Sequence, residues 1–119
     1  MAQHNDLGKR GEQLAVDFLL KNDYIVLERN YTFDKAEVDI IAKIRDTLAV
    51  VEVKTRSTLD FGSPQDFVKT KQIQRLVKAV DEYVRVNELD VEVRFDIIAI
   101  VKENKEFKIE HLKDAFYHF

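Results

Sequence analysis

Residues 36–55 read AEVDIIAKIRDTLAVVEVKT, two runs rich in Val, Ile and Ala that flank Arg45-Asp46 and carry Glu37, Asp39, Glu52 and Lys54 among their apolar residues. Side chains alternate between the two faces of a strand. Val38, Ile40, Ala42 and Ile44 therefore form one apolar row, and Ala49, Val51 and Val53 form another. Two such rows belong together on the better-buried face of a sheet, which leaves Glu37, Asp39, Glu52 and Lys54 to the other face. A hairpin loop centred on Arg45–Asp46 sets Ile44 opposite Thr47, Asp39 opposite Glu52 and Glu37 opposite Lys54, with opposed Cβ atoms roughly 5 Å apart. Arg-Asp is a weaker hairpin signal than Asn-Gly, and a slip of two residues keeps the face while changing the partners.

Two carboxylates at that distance repel each other unless positive charge sits between them. Lys54 is one candidate and a divalent cation is another. Oxygen-only ligands point to magnesium or manganese rather than zinc. An ion held by Asp39 and Glu52 would activate water and stabilise charge on a phosphate, with Lys54 beside it as a point charge. The plainer alternative is a solvated row of cross-strand ion pairs, which contributes little. Ile41, Leu48 and Val50 make the same face apolar nearer the turn, so the charges fall at the rim of a covered face.

The rest of the chain fixes the frame around this hairpin. Residues 7–22 place Leu7, Gly11, Leu14, Ala15 and Phe18 on one helical stripe, with Asp6 as its cap. Residues 24–33 are rich in strand formers, 36–44 and 47–56 are the two runs above, and 57–63 form a loop. Ser63 and Pro64 then suit the start of a helix running to about Glu88, with Phe67, Ile73, Leu76, Val77, Val80 and Val84 inward. Residues 93–101 make a buried strand and 106–110 an edge strand, with a helical turn expected in the tail from His111. The order is α-β-β-β-α-β-β, an α/β arrangement, and 119 residues suit a single domain spanning 1–119. The absence of cysteine excludes disulfides, thiolate metal sites and cysteine nucleophiles. No apolar run is long enough to cross a bilayer and the N-terminus lacks a signal core, so no membrane partner is expected and a cytoplasmic location is. The net charge of −3 counts against nucleic-acid binding by bulk charge, but not against a local basic strip beside an acidic pocket.

Asp39 followed by Glu52-Val53-Lys54 resembles the core motif of the PD-(D/E)XK nuclease superfamily. More closely, the chain resembles the YraN-like family of small bacterial proteins. The likeness spans nearly the whole chain and includes Gly8, Gly11-Glu12 and Ala15, then Arg29-Asn30, Glu37-Val38-Asp39, Val51 to Arg56, Phe61-Gly62-Ser63-Pro64, Lys71 and Arg94-Phe95-Asp96. The short Glu-Val-Lys motif is weak alone; the set in this order is specific. The superfamily is also similar to archaeal Holliday-junction resolvases in its compact layout. The resemblance implies a restriction-endonuclease-like fold, a central mixed five-stranded sheet flanked by helices, with a magnesium-type site. It also implies that Glu12 is a further metal ligand or supports one. Two departures stand out: Ala36 replaces a usual glycine, and Val38 replaces the superfamily's proline.

Gly8 and Gly11 each cost about 1 kcal/mol against Ala in a helix, which suggests close helix–sheet approach. Asp96, after Arg94, suggests an ion pair or a backbone hydrogen bond. Lys71, Arg75 and Lys78 follow helical spacing, and with Arg56 and Lys69 they form a candidate strip for phosphate contact, with Lys71 nearest the loop after Arg56. The competing reading is a solvated face, since Glu82 continues the row with the wrong sign. His4, His111 and His118 show no metal-ligand spacing and are expected at the surface or in the tail. Two function classes emerge. One is a magnesium- or manganese-dependent endonuclease acting on structured or branched DNA, for which a homodimer would suit paired strands. The other is a non-catalytic nucleic-acid-binding protein that keeps the nuclease fold.

Overall fold

A computed structural model describes residues 2–57 and 70–115, with side chains from Leu7 onward at the N-terminal end. Its elements are α1 (Ala2–Lys21), β1 (Ile25–Phe33), β2 (Ala36–Ile44), β3 (Thr47–Arg56), α2 (Thr70–Val86), β4 (Glu92–Glu103) and β5 (Glu106–Leu112). The expected order holds. The helix start proposed at Ser63-Pro64, Phe67 and the loop at 58–63 lie outside the described residues, as does the end of the tail. Of that tail, His111 and Leu112 belong to β5 rather than to a helical turn. Helix α1 also begins earlier than Asp6, which therefore lies inside the helix and does not cap it.

The five strands lie in the order β1-β2-β3-β4-β5. All neighbours are antiparallel except β3 and β4, which are parallel. The sheet is thus mixed. A parallel pair needs a crossover, and α2 lies in the connection between β3 and β4. The hairpin register is the expected one, with Ile44 opposite Thr47 and pairing continuing to Ile40 opposite Val51.

Each helix covers one face of the sheet. Ala15, Val16 and Leu19 of α1 pack with Ile40, Ala42, Ala49, Val51, Ile98 and Ile100. Leu76, Ala79, Val80 and Tyr83 of α2 pack with Ile41, Leu48, Val50, Phe95 and Ile97. Both faces are therefore buried, which explains the continuous apolar runs of β3 and β4. One expectation fails here. Val38 does not share the face of Ile40 but packs on the α2 side with Ala36 and Ile41. The β1–β2 pairing skips one position, passing from Arg29–Ile40 to Tyr31–Val38, and Asn30 at the skip has φ 55°. Left-handed backbone at Asn30 and an unpaired Asp39 reset the alternation, so the rows on either side of Asp39 are out of phase.

The two helical glycines differ. A Cβ on Gly11 would clash with the Thr55 side chain, Oγ1 first, so only glycine lets α1 approach β3 here. A Cβ on Gly8 would meet nothing within 4 Å, so the close approach expected there is absent. Ala36 is not among the residues with positive φ; the β1–β2 turn places that conformation on Asp34, with φ 57°. Ala36 has ordinary strand geometry and carries no strain from replacing a glycine.

Candidate active site

The β2–β3 ladder stops at Ile40–Val51, and the backbone donors just beyond it turn to side chains. Asp39 Oδ2 accepts from the Val53 N–H at 2.8 Å, and Glu52 Oε2 accepts from the Asp39 N–H at 3.4 Å. Each carboxylate reaches across to the other strand. Glu52 is only 3% exposed, and Gln72 of α2 donates to its Oε1 at 3.1 Å. Thus the skipped pairing at Asp39 does chemical work: it opens the ladder where two acids meet.

Burial pushes the Asp39 carboxyl up to about 6 from an ordinary 3.8, against the pull of the Val53 N–H, and Glu12 adds to the rise. Burial pushes Glu52 further, to about 8 from 4.5, and the neighbouring Asp39 charge reinforces it. Both acids resist ionisation because they have lost water and face like charge. Lys54 favours the charged form of both through space. It forms no ion pair with a described residue.

Asp39, Glu52 and Lys54 line one cleft of about 300 Å³, together with Lys35, Gln72 and Arg75. A second hollow of about 410 Å³ opens on the α1 side, lined by Gly8, Lys9, Glu12, Asn30, Asp39 and Thr55. Asp39 borders both. Glu12 therefore approaches Asp39 from the opposite side to Glu52, where Asn30 Nδ2 donates to its Oε1 at 3.0 Å and Arg29 Nη2 lies 3.4 Å away. Among the described residues no group of three His, Cys, Asp or Glu side chains closes into a metal-binding cluster. The structure brings together Asp39, Glu52 and Lys54, and holds Glu12 one step away.

The basic candidates separate. Arg75 reaches the cleft, while Lys71 is exposed one turn earlier on α2. Lys78 pairs with Asp34 at 3.4 Å, both well exposed. Arg56 Nη1 donates to the Thr55 carbonyl at 2.9 Å. Lys69 lies outside the described residues. Gln72 and Lys35 were not singled out by sequence, and nothing in their spacing marks them. Asn30 carried a signal, since Asn is disfavoured in strands and tolerates positive φ.

A second polar cluster is structural. Asp96 is fully buried and accepts from Arg94 Nε at 2.9 Å, Arg94 Nη2 at 2.8 Å and the Asp114 N–H at 3.0 Å. Arg94 also donates to the Tyr24 hydroxyl at 2.6 Å. His111 Nε2 lies 2.8 Å from Asp96 Oδ2 with its side chain 7% exposed, so the surface position expected for it is wrong. The β4–β5 pairing sets Ile98 opposite His111 and so carries the imidazole to Asp96. His4 and His118 lie outside the side chains described.

Comparison with known proteins adds a family. The model described as "Uncharacterised protein family UPF0102" matches residues 11–100. A UPF0102 protein of Flavobacterium psychrophilum is 68% identical over 119 residues, all of both chains. One from Christiangramia forsetii is 65% identical over the same full length. One from Bacteroides fragilis is 48% identical over 117 residues, 98% of this chain and 97% of that protein. The matched region takes in Glu12, Asp39, Glu52, Lys54 and Asp96.

Proposed function

The chain belongs to the UPF0102 family, and we propose that its Asp39–Glu52–Lys54 cleft hydrolyses phosphodiesters of structured or branched DNA with the help of a divalent cation, as a single nuclease-like domain acting in the cytoplasm. The observation that carries this reading is the burial of two adjacent acids with raised pKa values and no ion pair to either from a described residue. A fold gains little from such a pair by itself, since the through-space pull of Lys54 does not offset the burial and mutual repulsion of the acids. Function gains a site that exchanges protons for a cation. Perturbed acids of this kind cluster at functional sites. The resemblance to the PD-(D/E)XK superfamily supports the same residues in the same roles.

The donor set fits magnesium or manganese. Asp39 and Glu52 offer oxygen only, and a cleft of about 300 Å³ leaves room for water and a phosphate oxygen. A divalent ion there supplies Lewis-acid activation of water and neutralises charge at the phosphate. The chain's own residues do the rest. Val53 N–H and Asp39 N–H fix the two carboxylates, and Gln72 holds Glu52 from the α2 side. Lys54, lacking an ion-pair partner among the described residues, presents its ammonium to the non-bridging phosphate oxygens as negative charge builds on them. Arg75 at the cleft wall positions the phosphate. Glu12, tied to Asn30 and Arg29, borders the α1 side of Asp39 and raises its pKa.

One observation favours the second reading, binding without cleavage: Glu12 is engaged away from Glu52, so a three-carboxylate ligand set is not preformed. The two readings part in one experiment. Wild type, Lys54→Ala and Asp39→Asn are incubated with branched, single-stranded and duplex DNA, with and without manganese. Manganese-dependent cutting by wild type alone is expected. Lys54→Ala should keep most of its binding while losing roughly 100- to 1,000-fold in cleavage, the usual loss for one transition-state contact. Binding without cleavage on every substrate moves the protein to the non-catalytic class. Cutting that survives both substitutions contradicts the site.

A further inference from the structure

A hollow of about 660 Å³ on the α1 face is lined by Arg10, Ser57, Lys102, Asn104, Lys105 and Phe107, with no carboxylate among the described residues of its wall. The chain as a whole has 22 acidic and 19 basic residues, so three cations meeting without an acid is a local departure from its balance. None of the three forms an ion pair with a described residue. Glu103, the nearest acid along β4, is already paired with Lys108 at 2.7 Å. Two of the cations are also held in place. The Arg10 guanidinium lies 5.3 Å and the Lys102 ammonium 6.0 Å from the centre of the Phe107 ring. Lys102 and Phe107 are directly opposed in the β4–β5 hairpin. Ring contacts of this sort order cationic side chains without neutralising them.

The hollow adjoins, along one seam, the α1-side hollow that Asp39 shares with the candidate active site. Its walls include Leu7 and Arg10 of α1 and Ser57 just after β3; the hollow beside Asp39 uses Gly8, Lys9 and Thr55. The two share the α1–β3 junction at neighbouring positions. Gly8 lies at that junction, with open space above it.

We propose that this basic hollow binds backbone phosphates of the nucleic-acid strand that continues from the phosphodiester held at Asp39, Glu52 and Lys54. The identity of the ligand as nucleic acid rests on the phosphodiesterase reading of that cleft; the three unpaired cations stand independently of it. The strand leaves the cleft along the α1–β3 seam and meets Arg10, Lys102 and Lys105, with Ser57 and Asn104 as neutral donors. A basic groove tracking a backbone is the usual device for holding single strands. It also accounts for nucleic-acid binding by a chain of net charge −3 without appeal to its bulk charge.

The test is fluorescence anisotropy with a labelled DNA oligonucleotide, in EDTA to prevent cutting, across a series of salt concentrations. Lys102→Gln/Lys105→Gln is compared with wild type and with Lys21→Gln/Lys43→Gln, which removes equal charge elsewhere on the surface. Both pairs are surface lysines, and Lys105→Arg alone should behave as wild type. The groove variant is expected to bind about tenfold more weakly at moderate salt, with a log–log salt slope lower by roughly 1.4 to 1.8, from about 0.7 to 0.9 per lost phosphate contact. The control should keep the wild-type slope. Equal slopes and affinities for the two double variants, or a wild type that binds no oligonucleotide, would overturn the groove. Cleavage by the same preparations with manganese keeps the two proposals apart. Cutting that persists unchanged in the groove variant removes the groove and leaves the active site. Groove-dependent binding with no cutting removes the phosphodiesterase and leaves the groove.

Discussion

Glu52→Gln is expected to flatten the pH dependence of stability across the neutral range. In the cation-free protein the folded state holds a proton on Glu52 up to about pH 8, because the side chain is buried and faces Asp39, whereas the unfolded chain releases it near the ordinary 4.5. Between those values the folded state binds more protons than the unfolded one, so stability falls as pH rises. At 1.36 kcal/mol per unit the gap corresponds to a loss on the order of 4 to 5 kcal/mol, part of it shared with Asp39 because the two acids titrate as a pair. Against a total of about 5 to 15 kcal/mol for a domain, that change is readily measured. Asp96 works in the opposite sense. Burial raises it, but hydrogen bonds from His111, Arg94 and the Asp114 N–H outweigh that and hold it below the usual carboxylate range. Its contribution is therefore lost only below about pH 4 and does not enter the window. Glutamine keeps the shape of Glu52 and a carbonyl oxygen for Gln72, and removes the titration. Urea unfolding followed by circular dichroism, from about pH 5 to about pH 8 in EDTA, should show wild type weakening by a few kcal/mol. Glu52→Gln should lose only the smaller part that Asp39 contributes below about pH 6, stay nearly level above it, and be the more stable protein at the alkaline end. Parallel curves for the two proteins would refute the assignment of this strain to Glu52.

Other consequences follow from single contacts. Gly11→Ala should destabilise by roughly 1 to 3 kcal/mol despite better helix propensity, because its Cβ meets Thr55 Oγ1; Thr55→Ala in the same chain should restore part of the loss on thermal melting. Gly8→Ala, with open space around it, should instead gain up to about 1 kcal/mol. Arg94→Ala leaves fully buried Asp96 short of its cationic partner and should cost about 3 kcal/mol or more, read as a lower midpoint in urea. Gln72→Ala removes a donor to Glu52 and should weaken manganese binding severalfold by calorimetry while leaving Tm almost unchanged.

The β2–β3 register was legible because a two-residue loop and the apolar rows from Ile40 to Ile44 and from Ala49 to Val53 leave little freedom. Ile44 pairs with Thr47, and the acids fall just past the last pair, at Asp39 and Glu52. The phase change at Asp39 was not legible, because it depends on Asn30 adopting φ 55° on the neighbouring strand, and alternation read along β2 alone cannot contain it. Gly11 and Gly8 look alike in sequence, yet the first touches Thr55 and the second touches nothing; the angle at which α1 crosses β3 decides this. Helical spacing grouped Lys71, Arg75 and Lys78 but did not fix which of them turns to the cleft, and Arg75 does so. His111 is silent in sequence because its partner Asp96 is reached only through the β4–β5 pairing. Arg10, Lys102 and Lys105 come from elements far apart in the chain, and no local pattern joins them.

The functional reading rests on the buried acid pair exchanging a proton for a divalent cation. Isothermal titration of manganese into the protein at neutral pH, repeated in buffers of different ionisation enthalpy, measures binding and proton release together. Wild type is expected to bind one ion per chain, to release about one proton as Glu52 ionises, and to lose both signals in Asp39→Asn. Equal binding by wild type and Asp39→Asn, or binding with no proton released, would contradict the assignment of the cation to Asp39 and Glu52.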